Sequence, residues 1–115
     1  MKPLKPLTAL KRKPKTLVEL FRDPRRWIKG SLRNPDTTAC CVRGGINFLL
    51  RGDPYNFPHT GPAYRRFNTI ERKIARAAGL DVSRVGFESF LIPGWNNDPS
   101  LTHKEFLRVL KQAGV

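Results

Sequence analysis

The most apolar segment of this chain reads Asp36-Thr-Thr-Ala-Cys-Cys-Val-Arg-Gly-Gly-Ile-Asn-Phe-Leu-Leu-Arg-Gly52. Its residues Ala39, Val42 and Ile46 recur at three- and four-residue spacing, and further apolar residues widen the stripe. Such a stripe predicts a central helix, at about residues 39–50, that is buried on several sides. The candidate N-caps are Asp36, Thr37 and Thr38, and Gly52 before Asp53-Pro54 predicts the stop.

Two adjacent glycines, Gly44 and Gly45, lie inside this predicted helix. Each costs up to about 1 kcal/mol relative to alanine in a helix interior. Something must compensate for that cost, and we therefore expect close approach of another backbone at this point.

Local signals predict helices on both sides of the central one. Thr16 and Glu19 form a capping box before a short helix at Leu17–Arg22. Asp23-Pro24 predicts a second short helix that carries residues 25–29. On that helix Trp27 is expected to pack in the core rather than stack on a base or a ligand.

The C-terminal half adds two longer helical patterns. Residues 63–78 place apolar side chains on one face and end at Gly79, and Thr102 with Glu105 caps a final helix. Between them the pattern near residues 85–92 fits either a helical turn or a brief strand, and residues 94–99 predict a tight turn. The sequence thus predicts one small, mainly α-helical domain over residues 16–115.

Positive charge is concentrated at the N-terminus. The net charge is +13, and the first 35 residues hold 11 lysines and arginines against two acids, a balance of +9. Residues 1–15, called the basic arm below, contain three prolines and predict a segment that acquires a fixed conformation only on a partner. Such an arm is typical of proteins that bind phosphate-rich partners, although an anionic membrane surface or an acidic protein also fits.

The two cysteines, Cys40 and Cys41, are adjacent, which favours free thiols and an intracellular protein. A minor hypothesis makes one of them a nucleophile at a helix N-terminus, with His103 and Asp98, or a neighbouring asparagine, completing the set. Burial of free cysteines is the commoner outcome, so the sequence favours a non-enzymatic protein.

A zinc site at Cys40, Cys41, His59 and His103 has four ligands but lacks the usual spacing between cysteines. The sequence therefore predicts no metal site. It shows no other cofactor motif, no secretory signal and no apolar run of membrane-spanning length.

Short motifs across the chain resemble a family of uncharacterised domains found mostly in actinobacteria and their phages. In that family a Trp-x-x-Gly opening, a Cys-x-x-Gly-Ala step and a Trp-Asn-Asp ending before a Thr-x-x-Glu helix recur. The chain departs from this pattern at Ile28, at Gly45 and by one extra asparagine before Asp98. The resemblance implies no known activity, and it implies a phage or mobile-element origin. The matching residues are Trp27, Gly30, Cys41, Gly44, Trp95, Asn96, Asp98, Thr102, Glu105 and Leu107.

These observations predict a small basic accessory protein, cytoplasmic or inside a virion, that binds DNA or RNA without sequence specificity. The alternative is a structural component of a virion or ribonucleoprotein, in which the basic arm is ordered by a protein neighbour. The expected phosphate-binding residues are Lys2, Lys5, Lys11, Arg12, Lys13, Lys15, Arg25, Arg26, Arg65, Arg66, Arg72 and Arg76.

Overall fold

A computed structural model describes residues 3–86 and 89–115 of the chain. In this part of the chain five α-helices surround one core, so the predicted fold class, a small and mainly helical domain, is confirmed. None of the described helices is both long and apolar enough to cross a membrane. The helices are α1 (Leu17–Leu20), α2 (Val42–Arg51), α3 (Gly61–Ala78), α4 (Leu91–Asn96) and α5 (His103–Ala113).

Helix α2 lies at the centre of the fold, and residues 42–48 are all buried. It ends as predicted at Gly52, which adopts the left-handed conformation with φ 80°. Its N-cap is Cys41, whose Sγ accepts a 3.5 Å hydrogen bond from the amide of Gly44. The central helix of the sequence prediction is therefore present, but it begins three residues later than expected.

The predicted N-caps of the central helix were wrong because residues 36–40 are held in a different conformation. Asp36 accepts hydrogen bonds from the amide and the hydroxyl of Thr38, at 3.3 and 2.8 Å. Thr37 has a positive φ of 57°, and Cys40 forms two isolated β-bridges. Since these residues are not helical, the helix cannot begin before Cys41.

The glycine pair lies where the core is tightest. A Cβ atom on Gly44 would lie 2.3 Å from the backbone oxygen of Leu32, so close approach of another backbone is confirmed there. A Cβ atom on Gly45 would lie 2.7 Å from the ring of Phe21, a side chain rather than a backbone. Both glycines are therefore required by packing.

Helix α3 packs against α2 and α5. Its apolar face buries Phe67 and Ile74, so the one-sided apolar pattern predicted for residues 63–78 is confirmed. Helix α5 buries Phe106, Val109 and Leu110. Both helices end at glycines in the left-handed conformation.

The first capping box is confirmed in a modified form. The hydroxyl of Thr16 accepts from the amide of Glu19 at 3.1 Å. The carboxylate of Glu19 reaches back to the amide of Lys15, at 3.2 Å, instead of that of the cap residue. The helix ends at Leu20, two residues before the predicted end at Arg22.

The second short helix is present only as a 3-10 turn, Pro24–Arg26, capped by Asp23. The prediction that the helix continues to residue 29 was wrong, because Trp27 is extended and pairs with Cys40 in a β-bridge. Trp27 packs against the core cluster, as predicted.

For the segment between α3 and α5 the sequence left two alternatives open, a helical turn and a brief strand. The described residues of this segment form a 3-10 turn at Val82–Arg84 and helix α4, and they contain no strand. The predicted tight turn at 94–99 was wrong in its first half, since Trp95 and Asn96 belong to α4. Residues 87 and 88, and the predicted phosphate-binding residue Lys2, lie outside the described residues.

The basic arm is anchored to the domain by apolar side chains, Leu7 in the core cluster and the partly buried Leu10 packed against it. Leu7 is fully buried in the core cluster, and its amide donates to the carbonyl of Thr37 at 2.8 Å. Arg26 donates to the carbonyl of Lys5 at 2.6 Å. The sequence predicted an arm without a fixed conformation and missed this anchor, because three prolines and six basic residues outweighed the spaced leucines Leu4, Leu7 and Leu10.

We predict that Gly44→Ala lowers the free energy of unfolding by about 1–3 kcal/mol, because the new methyl group must displace the backbone of Leu32. Gly94→Ala is the matched control, since Gly94 lies in α4 with open space around its Cα. It should leave stability unchanged or raise it by up to about 1 kcal/mol. Urea denaturation measures both, and equal midpoints for the two variants would contradict the close approach.

Candidate functional site

The side chain of Asn96 lies at the centre of a buried hydrogen-bond network. Asn96 is fully buried, and its Oδ1 accepts from Nε1 of Trp27 at 2.8 Å and from the amide of Val42 at 3.0 Å. The first bond ties the segment before α2 to α4. The second satisfies an amide at the start of α2 that has no partner within the helix.

The side-chain nitrogen of Asn96 completes the network. Its Nδ2 donates to the carbonyl of Ile28 at 3.1 Å and to Oδ1 of Asn97 at 3.0 Å. The same Oδ1 of Asn97 accepts from the amide of Gly30 at 2.8 Å. All four hydrogen-bonding positions of the Asn96 carboxamide are therefore occupied, which offsets the cost of burying it.

Aromatic rings cover this network on one side. Trp27 stacks on Phe106 of α5, with ring centroids 4.3 Å apart and planes inclined by 10°. The ammonium group of Lys29 lies 5.2 Å from the Trp27 ring and donates to the carbonyls of Asp98 and Leu101, at 2.6 and 2.8 Å. The network thus joins the segment before α2, helix α4 and helix α5.

A buried ion pair joins α2 to α3. Arg43 donates through Nε and Nη2 to the two carboxylate oxygens of Glu71, at 2.8 and 3.2 Å. The same Nη2 lies 2.8 Å from the carbonyl oxygens of Gly86 and Ser89. Burial raises the pKa of Glu71, and the hydrogen bonds from Arg43 oppose that shift. Removing either partner would leave a buried charge without compensation.

A small cleft of about 200 Å³ opens beside both features. Helix α4 contributes Pro93 and Asn96, and α2 contributes Arg43. The remaining wall comes from the segments before α2 and after α2, and from Phe90, whose ring is 84% exposed. The other lining residues are Gly30, Ser31, Leu32, Cys41, Phe57 and Asn97.

The residues of the minor nucleophile hypothesis are not arranged as a catalytic set. Cys40 and Cys41 are free and buried, and burial raises the pKa of both thiols, which disfavours the reactive thiolate. Nε2 of His103 lies 2.7 Å from the carbonyl oxygen of Phe21. Because a carbonyl oxygen only accepts hydrogen bonds, this Nε2 is the donor. The bond ties α5 to the end of α1. The carboxylate of Asp98 accepts from the amide and hydroxyl of its own loop residue, Ser100.

The four candidate zinc ligands of the sequence are Cys40, Cys41, His59 and His103. Across residues 3–86 and 89–115 no group of three or more His, Cys, Asp or Glu side chains could hold a metal ion. The two cysteines are instead part of the core and of the cap of α2.

The cations of the basic arm are on the surface. The described ones form no ion pair with any described residue. Because Leu7 of the arm is buried in the core, these cations lie on the surface of the domain and not on a detached tail. The exposed arm cations are Lys5, Lys11, Arg12, Lys13 and Lys15.

Two of the predicted phosphate-binding residues have partners within the domain. Arg25 pairs with Asp23 at 2.7 Å. Arg26 is half-buried and donates to the carbonyls of Lys5 and Thr38, at 2.6 and 2.9 Å. Arg26 therefore helps to hold the arm against the domain, because its guanidinium bonds a carbonyl of the arm and a carbonyl of the segment before α2.

Four arginines predicted to bind phosphate lie, together with Lys73, on one face of α3, called the cationic face below. This face is exposed along its whole length, and its members form no ion pair within the described part of the chain. This face lies opposite the buried residues Phe67 and Ile74. Its members are Arg65, Arg66, Arg72, Lys73 and Arg76.

Sequence reasoning missed the roles of Arg43, Glu71 and Asn96. Charged residues on an amphipathic helix are normally solvated, so burial of Glu71 was not expected. Its position four residues after Phe67 and three before Ile74 was the available signal, since that spacing places it on the apolar face.

Comparison with known proteins places the chain in a family. A model described as a family of unknown function, DUF6197, matches residues 17–114. This span is most of the chain, so the chain belongs to that family, and the prediction of an uncharacterised domain family is confirmed. No curated protein and no solved structure matches the chain significantly.

We predict that Asn96→Ala lowers the free energy of unfolding by roughly 3 kcal/mol, because the amide of Val42 and the indole of Trp27 lose their buried acceptor, at about 1–3 kcal/mol each. Urea denaturation monitored by tryptophan fluorescence measures the loss. Asn56→Ala, at an exposed loop residue, is the control and should change the midpoint little. A midpoint for Asn96→Ala equal to that of the control would show that the network contributes little.

Proposed function

We propose that this member of a family of unknown function binds nucleic acid without sequence specificity, through the basic arm and the cationic face of α3. The observation that carries the proposal is the set of exposed lysines and arginines on these two elements. None of the described ones is neutralised by a described acid. Such cations are free to replace the counterions condensed on a phosphate backbone.

The anchoring of the arm supports this proposal. Leu7 and Arg26 hold the arm against the domain, so its lysines are partly positioned before a partner arrives. Less conformational entropy is then lost on binding than with a detached tail. Cations placed this way contact phosphates and not base edges, which favours affinity without sequence readout.

The alternative, a structural role in a virion or ribonucleoprotein, uses the same cations but requires a protein neighbour. We also propose a cytoplasmic location, or one inside a virion, and a phage or mobile-element origin.

Nucleic-acid binding and the structural role differ in one measurable property. Only the first predicts that the chain alone binds bulk DNA or RNA with a steep dependence on salt.

We predict that Lys11→Gln with Lys15→Gln reduces the salt slope of nucleic-acid binding, by roughly 0.9 for each phosphate of duplex DNA that the variant no longer neutralises. The variant keeps Leu7, whereas deletion of the arm would also remove that residue from the core. Fluorescence anisotropy with labelled duplex DNA and RNA, at several salt concentrations, measures the slope.

The matched control is Lys104→Gln with Lys111→Gln, which removes the same charge from exposed positions on α5. This control should leave the slope unchanged. Equal decreases of the slope in both double variants would show that net charge, and not the arm, controls binding. No binding of the unmodified chain at physiological salt would overturn the proposal and leave the structural role.

A further inference from the structure

Phe90 is the most exposed large apolar side chain in the described residues, with 84% of its surface accessible, and Tyr55 follows with 52%. Single exposed aromatics are common on protein surfaces and need no explanation by themselves. Phe90, however, lines two clefts at once, the one of about 200 Å³ described above and a more open one of about 810 Å³. Its ring therefore separates two concave surfaces.

The smaller cleft has the size and the lining expected for a single flat ring. Its volume is below the range of roughly 300–1,000 Å³ that drug-sized ligands occupy. Phe90, Phe57 and Pro93 supply apolar surface. Asn97 supplies polarity, because its Oδ1 is used by two donors while its Nδ2 has no hydrogen-bond partner among the described residues.

An exposed arginine shares the larger cleft with Phe90. Arg84 is exposed and lines that cleft, as Phe90 does. An exposed aromatic ring beside a cation is complementary to a strand whose flat, apolar bases alternate with phosphates.

Resting on the function proposed above, we infer that this surface binds single-stranded nucleic acid, with one unpaired base stacked on Phe90 and its polar edge beside Asn97. A neighbouring phosphate lies towards Arg84. A duplex keeps its bases stacked on one another and cannot offer such a ring, so the surface discriminates single strands from duplexes by shape.

The test compares three DNA probes by fluorescence anisotropy: oligo(dT) of about 12 nucleotides, within the range that small single-strand-binding domains cover, its duplex with oligo(dA), and an abasic strand of equal length. The unmodified chain should bind oligo(dT) more tightly than the abasic strand. Phe90→Ala should weaken oligo(dT) binding about tenfold, the loss expected for one base stack. It should leave abasic-strand binding and the salt slope unchanged, and Phe90→Trp should restore affinity.

Because Phe90 is exposed, Phe90→Ala should keep the urea midpoint of the unmodified chain, so a loss of binding is not a loss of folding. Equal affinity of the unmodified chain for oligo(dT) and the abasic strand, or unchanged oligo(dT) binding by Phe90→Ala, would overturn the inference and leave general phosphate binding intact. Failure of the unmodified chain to bind any of the three probes would overturn both proposals.

Discussion

The buried carboxamide of Asn96 is the constraint on which the rest of this structure depends. An amide taken out of water is tolerated only when both its acceptor and its donors are satisfied, and here Trp27, Val42, Ile28 and Asn97 supply every partner. These partners come from the segment before α2, from α2 itself and from the end of α4. One side chain therefore fixes the relative position of elements that are far apart in sequence.

Two further constraints stiffen the same region and relate it to function. Gly44 admits the backbone of Leu32, and Arg43 binds Glu71, so α2 is held on two sides. Arg43 and Leu32 also line the cleft beside Phe90, so the same contacts hold the walls of that cleft in place. The basic arm is held against the domain through Leu7 and Arg26, which places its cations on a defined surface. An anchored cationic surface of this kind suits the nucleic-acid binding proposed above.

Elements set by local interactions could be predicted from the sequence, and those set by distant partners could not. The caps at Thr16 and Thr102 and the glycine stop at Gly52 depend on neighbouring residues, and all three are present. The start of α2 depends on β-bridges of Cys40 with residues outside the helix, so cap preference alone placed it too early. The role of Asn96 depends on partners more than 50 positions away, and a polar turn is the ordinary interpretation of its local sequence.

The measurement that tests this account most directly is native-state hydrogen exchange, followed by NMR, at the amide of Val42 and the indole N–H of Trp27. If the Asn96 carboxamide holds the fold together, both protons exchange only when the whole domain unfolds, with free energies of opening equal to the global free energy of unfolding. Exchange of either proton by local opening, at rates close to those of exposed loop amides, would contradict the central role of Asn96.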